Sequence, residues 1–250
     1  MKLFFMLAIF GLLFVVGIST TLVDIPTFDG NYLECITLKG DAFQAQGGIN
    51  ITDNMRSKYG TDISAGALLL KYPVSSHNLK AFQTEFSFVS TKPSSTSQGE
   101  GLAFFLSPSS SAGIPVFPFG LPSRFLAIVF DNTLSSYRDK TVLNSIEVLV
   151  DNITPIAKTD GVVYTLNNGV MYTVWVAFTG KTMSIYLSDS KLMPAKPILE
   201  FNSTAIRAFI EQFEKLYLGF SSRSIVGSQE HHKIYNWKVE VTDLQTGFCL

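Results

Sequence analysis

The chain is short of charge and of the side chains that carry most enzyme and metal chemistry. Of 250 residues, 19 are Lys or Arg and 20 are Asp or Glu, for a formal net charge of −1. No basic run occurs. Phosphate binding needs clustered Lys and Arg, so nucleic acid is not expected as a partner. An acidic membrane surface likewise finds nothing to attract it. Only three histidines are present, His77, His231 and His232, and no Ser-His-Asp or Cys-His grouping stands out around them. Nucleophilic catalysis is therefore left without an evident base. Cysteine is limited to Cys35 and Cys249. After the first eighteen residues there is no long apolar run. No membrane attachment is expected once that opening segment is gone.

The opening segment is the exception. Met1-Lys2 is a short basic start, and Leu3 to Ile18 is almost wholly apolar. Gly17-Ile18-Ser19 is a small-x-small pattern. Together they read as a secretory signal over residues 1–20, cut near Ser19 or Thr20. The same stretch inflates the mean hydropathy of +0.26. Secretion permits a disulfide. Cys35 and Cys249 either form one between the two ends of the mature chain or remain as two thiols. Three Asn-x-Ser/Thr triplets, at Asn50, Asn152 and Asn202, are candidate glycosylation sites in exposed turns.

The mature part reads as strands almost throughout. Phe82, Thr84, Phe86 and Phe88 alternate with Gln83, Glu85 and Ser87. Tyr172, Val174, Val176 and Phe178 alternate in the same way, and Met183, Ile185 and Leu187 follow after the turn at Thr179-Gly180-Lys181, which predicts a hairpin. Trp237, Val239 and Val241 continue the pattern near the end. Apolar runs at Leu102–Leu106, Phe125–Phe130 and Val148–Val150 predict strands covered on both faces. Gly113 to Pro122 carries three prolines and two glycines and can be neither a helix nor a regular strand. Helical spacing occurs only over Thr204 to Lys215, where Ile206, Phe209, Ile210 and Phe213 share a face. Many short strands with even turns and one short helix predict an all-β antiparallel sandwich or jelly roll.

The most informative stretch is Gly99-Glu100-Gly101-Leu102-Ala103-Phe104-Phe105-Leu106-Ser107-Pro108, an acidic residue between two glycines that feeds an apolar strand. It places a carboxylate at the rim of a sheet. With Leu126-Ala127-Ile128-Val129-Phe130-Asp131-Asn132, Tyr172-Thr173-Val174-Trp175-Val176, Leu218-Gly219-Phe220-Ser221-Ser222 and His232-Lys233-Ile234-Tyr235-Asn236-Trp237 in that order, the chain resembles the legume-type lectins of plants. The resemblance covers residues 21–246 and implies the concanavalin A-like sandwich. It implies a binding protein rather than an enzyme, with glycans or glycoproteins as partners, an extracellular or vacuolar location, and pairing of copies through flat back sheets.

The resemblance also implies a sugar pocket in the loops at one end, rigidified from beneath by calcium and a transition metal. The residues depart from that pattern. The hinged Asp of the family is Glu100 here, one methylene longer. Its Glu two residues before the strand-end Asp is Val129. Asp131 is kept, the following Asn is Ser135, Asp139 falls where a second metal carboxylate belongs, and the His is Asn144. Of the glycine pair in the loop before the Phe-Asp strand, only Gly120 is a remnant. The implied sugar-binding set is Glu100, Gly120, Asp131 and Ser135, and the implied metal set is Asp131 and Asp139. Calcium takes six to eight oxygens. Two carboxylates leave at most a weak calcium site completed by water and carbonyls, and no cofactor is expected.

Three alternatives compete with this reading. Glycoside hydrolysis needs two carboxylates about 5–9 Å apart. Glu147 and Asp151 share a strand parity, but Leu149 stands between them. His231-His232 invites a metal, but adjacent strand residues face opposite ways, so a structural use is expected. The third is an interaction module that keeps the fold without sugar binding and offers the aromatic and proline residues of Phe117–Pro122 to a protein or a small hydrophobic ligand.

Overall fold

The computed structural model describes residues 19–52, 63–91, 99–131, 144–159, 162, 164–225 and 230–242. Its strands in chain order are β1 (Ser19–Ile25), β2 (Ile36–Gly40), β3 (Phe43–Ala45), β4 (Gly48–Asn50), β5 (Ile63–Leu70), β6 (Val74–Ser75), β7 (Phe82–Thr91) and β8 (Gly99–Ser107). Then follow β9 (Leu126–Asp131), β10 (Ser145–Val150), β11 (Ala157–Lys158), β12 (Asn168–Phe178), β13 (Thr182–Ser188) and β14 (Leu199–Asn202). The helix α1 (Thr204–Glu211), β15 (Lys215–Ile225) and β16 (His231–Thr242) complete the order.

They form two antiparallel sheets. The back sheet runs β14-β13-β12-β7-β16-β4-β3, with β1 also on β16. The front sheet runs β11-β10-β9-β8-β15-β5-β2, with β6 on β15. The all-β sandwich is therefore the observed architecture, and β12 and β13 form the expected hairpin.

The period-two pattern explains the core. Phe82, Phe86 and Phe88 of β7 turn inward, while Gln83 and Glu85 stay part-exposed. Phe86 meets Phe220 of the front sheet edge-on at 4.8 Å, and Phe220 meets Trp237 of the back sheet at 4.9 Å. Such edge contacts add to the burial of large rings. Trp237 keeps its indole N–H satisfied by donating to the Thr84 hydroxyl at 3.0 Å.

A second apolar cluster lies on the other side of the front sheet. Phe105, Ala127, Val129 and Leu149 pack there beneath Phe119, Leu121 and Phe125 of the 112–125 loop. This is why β8 and β9 read as continuous apolar runs. It also corrects the expectation that Phe117–Pro122 offers an apolar surface. Phe119 and Leu121 are buried as a cover for the front sheet, and only Phe117 and its neighbour Val116 are exposed.

The helix is shorter than expected. It ends at Glu211, and Phe213 leaves it to pack part-buried against Phe209 at 5.2 Å. Lys215 already pairs with Ser75, so the chain must straighten there, and this tertiary pairing overrides the local apolar spacing. Two of the three glycosylation triplets also differ from exposed turns. Asn50 ends strand β4, with Thr52 wholly buried, and Asn202 ends edge strand β14. Asn152 does lie in an exposed bend, its side chain accepting from the Thr154 N–H at 3.1 Å.

Candidate functional site at the rim of the front sheet

The candidate site sits where β8 begins and β9 ends. Gly101 has φ +97°, and a Cβ there would stand 2.2 Å from the Phe130 carbonyl oxygen and 3.2 Å from the Asp131 Cα. Only glycine fits so close an approach at that dihedral. The hinge thereby brings Glu100 and Asp131 onto one rim.

The Glu100 side chain is turned into the protein. One carboxylate oxygen accepts from the Phe119 N–H at 2.7 Å, and the other is ion-paired with the Arg223 guanidinium. Arg223 also donates to the Pro115 carbonyl at 2.7 Å. Each partner of the ion pair is 20% exposed. Desolvation pushes the Glu100 carboxyl up from its usual range. The Phe119 N–H and Arg223 pull it back, and the nearby Asp131 charge adds to the rise. Phe119 and Gly120 are both left-handed, φ 56° and 65°, in the turn whose Phe119 N–H meets the carboxylate. Gly120 accepts from the Gly113 N–H at 2.8 Å and closes the loop.

A buried polar chain supports the hinge from within. Ser222 on β15 donates to the Gly101 carbonyl at 2.7 Å and lies 2.9 Å from His232 Nδ1 on β16. With the hydroxyl proton on Gly101, the imidazole Nδ1–H is the donor to Ser222. His232 Nε2 is 3.4 Å from a Glu230 carboxylate oxygen. Ser222, His232 and Glu230 are all wholly buried. This Ser-His-Glu grouping was not evident in the sequence, because Ser222 lies on the opposite sheet. It has no access for a substrate, and its hydroxyl is committed to a carbonyl. It pins the two sheets together beneath Glu100, in keeping with the structural use expected of His232.

The metal end is built differently from the family pattern. Val129 is fully buried in the second apolar cluster, so its place offers no ligand. Its cross-strand partner is Glu147, which is buried and accepts from the Ser145 hydroxyl at 3.1 Å. Ser145 in turn faces Asp131 in register. Asn144 stands left-handed at φ 57°, and its side chain accepts from the Leu166 N–H at 3.2 Å. Asp131 is buried at the strand end. Ser135, Asp139 and Cys249 lie outside the described residues, as do residues 1–18. Cys35 is disulfide-bonded. Among the described residues no group of three or more His, Cys, Asp or Glu is placed to hold a metal. Glu147 and Asp151 do not act as a pair. Asp151 lies past the strand at φ 48°, held by Arg124 at 2.7 Å and by the Phe125 N–H at 2.8 Å.

A two-sheet jelly roll with a hinged acid at its loop end defines a lectin-like binding module. The family model described as "Legume lectin domain" matches residues 23–247, and the chain belongs to that family. The L-type lectin-domain containing receptor kinase VIII.1 of Arabidopsis thaliana is 31% identical over 240 residues, covering 88% of this chain and 32% of its own length. A probable receptor kinase of the same class, S.7, is 29% identical, with 86% and 34% covered. The chain thus spans about a third of these relatives. The lectin-like protein At1g53060 of the same plant is 25% identical and is covered over 93% of its length. Among solved structures, winged bean acidic lectin superposes with a TM-score of 0.70 at 18% identity, over 90% of this chain and 98% of its own. Metal-free lectin I-B4 of Griffonia simplicifolia gives 0.69 at 22%, over 90% and 100%. At these identities the structures establish the fold alone. The legume lectin domain is a non-catalytic fold.

Proposed function

We propose that this chain is a secreted carbohydrate-recognition protein whose rim loops bind a glycan with little or no help from metal ions. The observation that carries the reading is the Gly101 hinge, which sets Glu100 beside Asp131 at the loop end of a legume lectin domain. Carboxylates are strong acceptors for sugar hydroxyls. The loss of the ligand position at Val129 is the reason to expect weak metal dependence. Secretion rests on the apolar opening segment, and glycosylation is best expected at Asn152.

A second reading is favoured by one contact. The Glu100–Arg223 ion pair already occupies the carboxylate, so sugar must share or displace it. If it does not, the domain is an interaction module that keeps the fold and binds no glycan. A glycan array of the secreted protein, with and without chelator, separates the two. Binding that survives chelator is expected. Binding lost with chelator refutes the metal-independent site, and silence on every glycan supports the interaction module.

A further inference from the structure

The outer face of the back sheet carries a cleft of about 260 Å³ that the rim site does not use. Its floor is one row of small polar side chains laid across three strands. Thr173 of β12 is opposite Ser87 of β7, and Ser87 is opposite Asn236 of β16. The row is joined internally. The Ser87 and Thr173 hydroxyls are 3.0 Å apart, and the Asn236 amide donates to Ser87 at 3.0 Å. A register shift between Ile234 and Asn236 puts Asn236 opposite Ser87 while Trp237 stays in the core. Bulges re-aim single side chains in this way.

The next row along the strands is large and charged. Glu85 is opposite Lys238, and Lys238 is opposite Asp24 of β1. A step of small floor residues beside a ridge of long ones is what makes the trough. Lys191, in the chain after β13, faces it from the other side.

The charges decide what fits. Along the ridge the signs run minus, plus, minus, and Lys238 is further tied to Glu240 at 2.6 Å. A free cation or anion gains little from alternating charge at this spacing. A neutral ligand with several hydroxyls gains more, since each hydroxyl both donates and accepts. The carboxylates of Glu85 and Asp24, which act on Lys238 through charge, offer acceptors to such a ligand, and Lys191 offers a donor. The volume suits a single pyranose ring.

We propose that this trough is a second, metal-independent site for one neutral sugar ring of a glycan, separate from the rim and on the other sheet. It does not rest on the rim reading. The protein is labelled with ¹⁵N and titrated separately with the methyl glycosides of galactose, glucose, mannose and N-acetylglucosamine. The expected result is a saturable shift of the Asn236 side-chain amide with at least one of them. That shift persists in Glu100→Gln, which alters the rim alone. It weakens at least about tenfold in Glu85→Gln/Lys191→Ala, as loss of hydrogen bonds to charged groups requires. Should the double variant fold poorly, Lys191→Ala, in an exposed segment, makes the same comparison. No shift with any of the four, or a shift unchanged in these variants, overturns the proposal. So does an Asn236 shift that follows protein concentration without sugar, which marks the trough as a contact between two copies.

Discussion

Arg223 ties two loops to one strand. Its guanidinium reaches the Glu100 carboxylate and the Pro115 carbonyl, so the 112–125 cover is held to the start of β8. Substituting Arg223→Met leaves Glu100 mostly buried without its counter-charge. At neutral pH the expected cost is about 1–3 kcal/mol, below the range for a fully buried pair because each group keeps some solvent. Burial already raises the Glu100 carboxyl above 4.5, and removing Arg223 raises it further. A group bound more tightly to its proton in the folded state contributes stability below its unfolded value, and that contribution is lost as pH rises through the folded one. The variant's deficit therefore shrinks in weak acid. Urea midpoints for both proteins across that range test this, and an equal deficit at every pH sinks it. Gly101 is the other fixed point. Gly101→Ala meets the Phe130 carbonyl at 2.2 Å in a left-handed backbone. A loss of about 2 kcal/mol or more is expected on thermal or chemical unfolding.

Elements reveal where sequence patterns are decisive and where they fail. The alternation in β7, β12 and β16 is legible because each strand has one face in the core, and the one short helix is legible from Ile206, Phe209 and Ile210. The helix end at Glu211 was not legible, since Phe213 is apolar whether it packs from a helix or from a connecting loop. At the candidate site, the hinge around Glu100 and the departure at Val129 could be read directly. The Arg223 partner, the Ser222–His232 link and the back-sheet trough could not. Arg223 and the trough join residues far apart in the chain, and Ser222 and His232, though near in sequence, sit on different sheets, so only register and sheet order bring them together. Two substitutions probe single elements. Ser203 caps α1 by accepting from the Ile206 N–H at 3.4 Å, so Ser203→Ala is expected to cost about 1 kcal/mol in denaturant unfolding. Ser222→Ala strands the Gly101 carbonyl and His232 Nδ1 in a dry interior. A larger loss of about 1–3 kcal/mol is expected there. Amide exchange at β8 is expected to quicken, and unchanged exchange argues against the support role of the polar chain.

At the scale of the whole molecule, the described fold begins with a strand that lies just past the apolar opening segment. β1 runs along β16, with Thr21 opposite Glu240 and Ile25 opposite Trp237. Val23 and Ile25 are buried. Removal of the first twenty residues takes the Ser19 and Thr20 rungs and leaves the ladder from Thr21 to Ile25. N-terminal sequencing of protein secreted from a plant or insect cell is therefore expected to start at or before Thr21. A mature start beyond Ile25 contradicts both the cleavage site and the placement of β1 in the folded product.

The antiparallel pairing of β1 with β16 also fixes how the domain answers to mechanical load. Ser19 lies opposite Thr242, so both ends of the described fold leave from the same corner. A tether pulling those two ends apart loads the rungs one at a time, like a zipper, rather than all together in shear. Such a module yields at low force between neighbours in a longer polypeptide. The same proximity lets a short linker close the two ends, so that a new chain start can be opened in a distant surface turn without rebuilding either sheet.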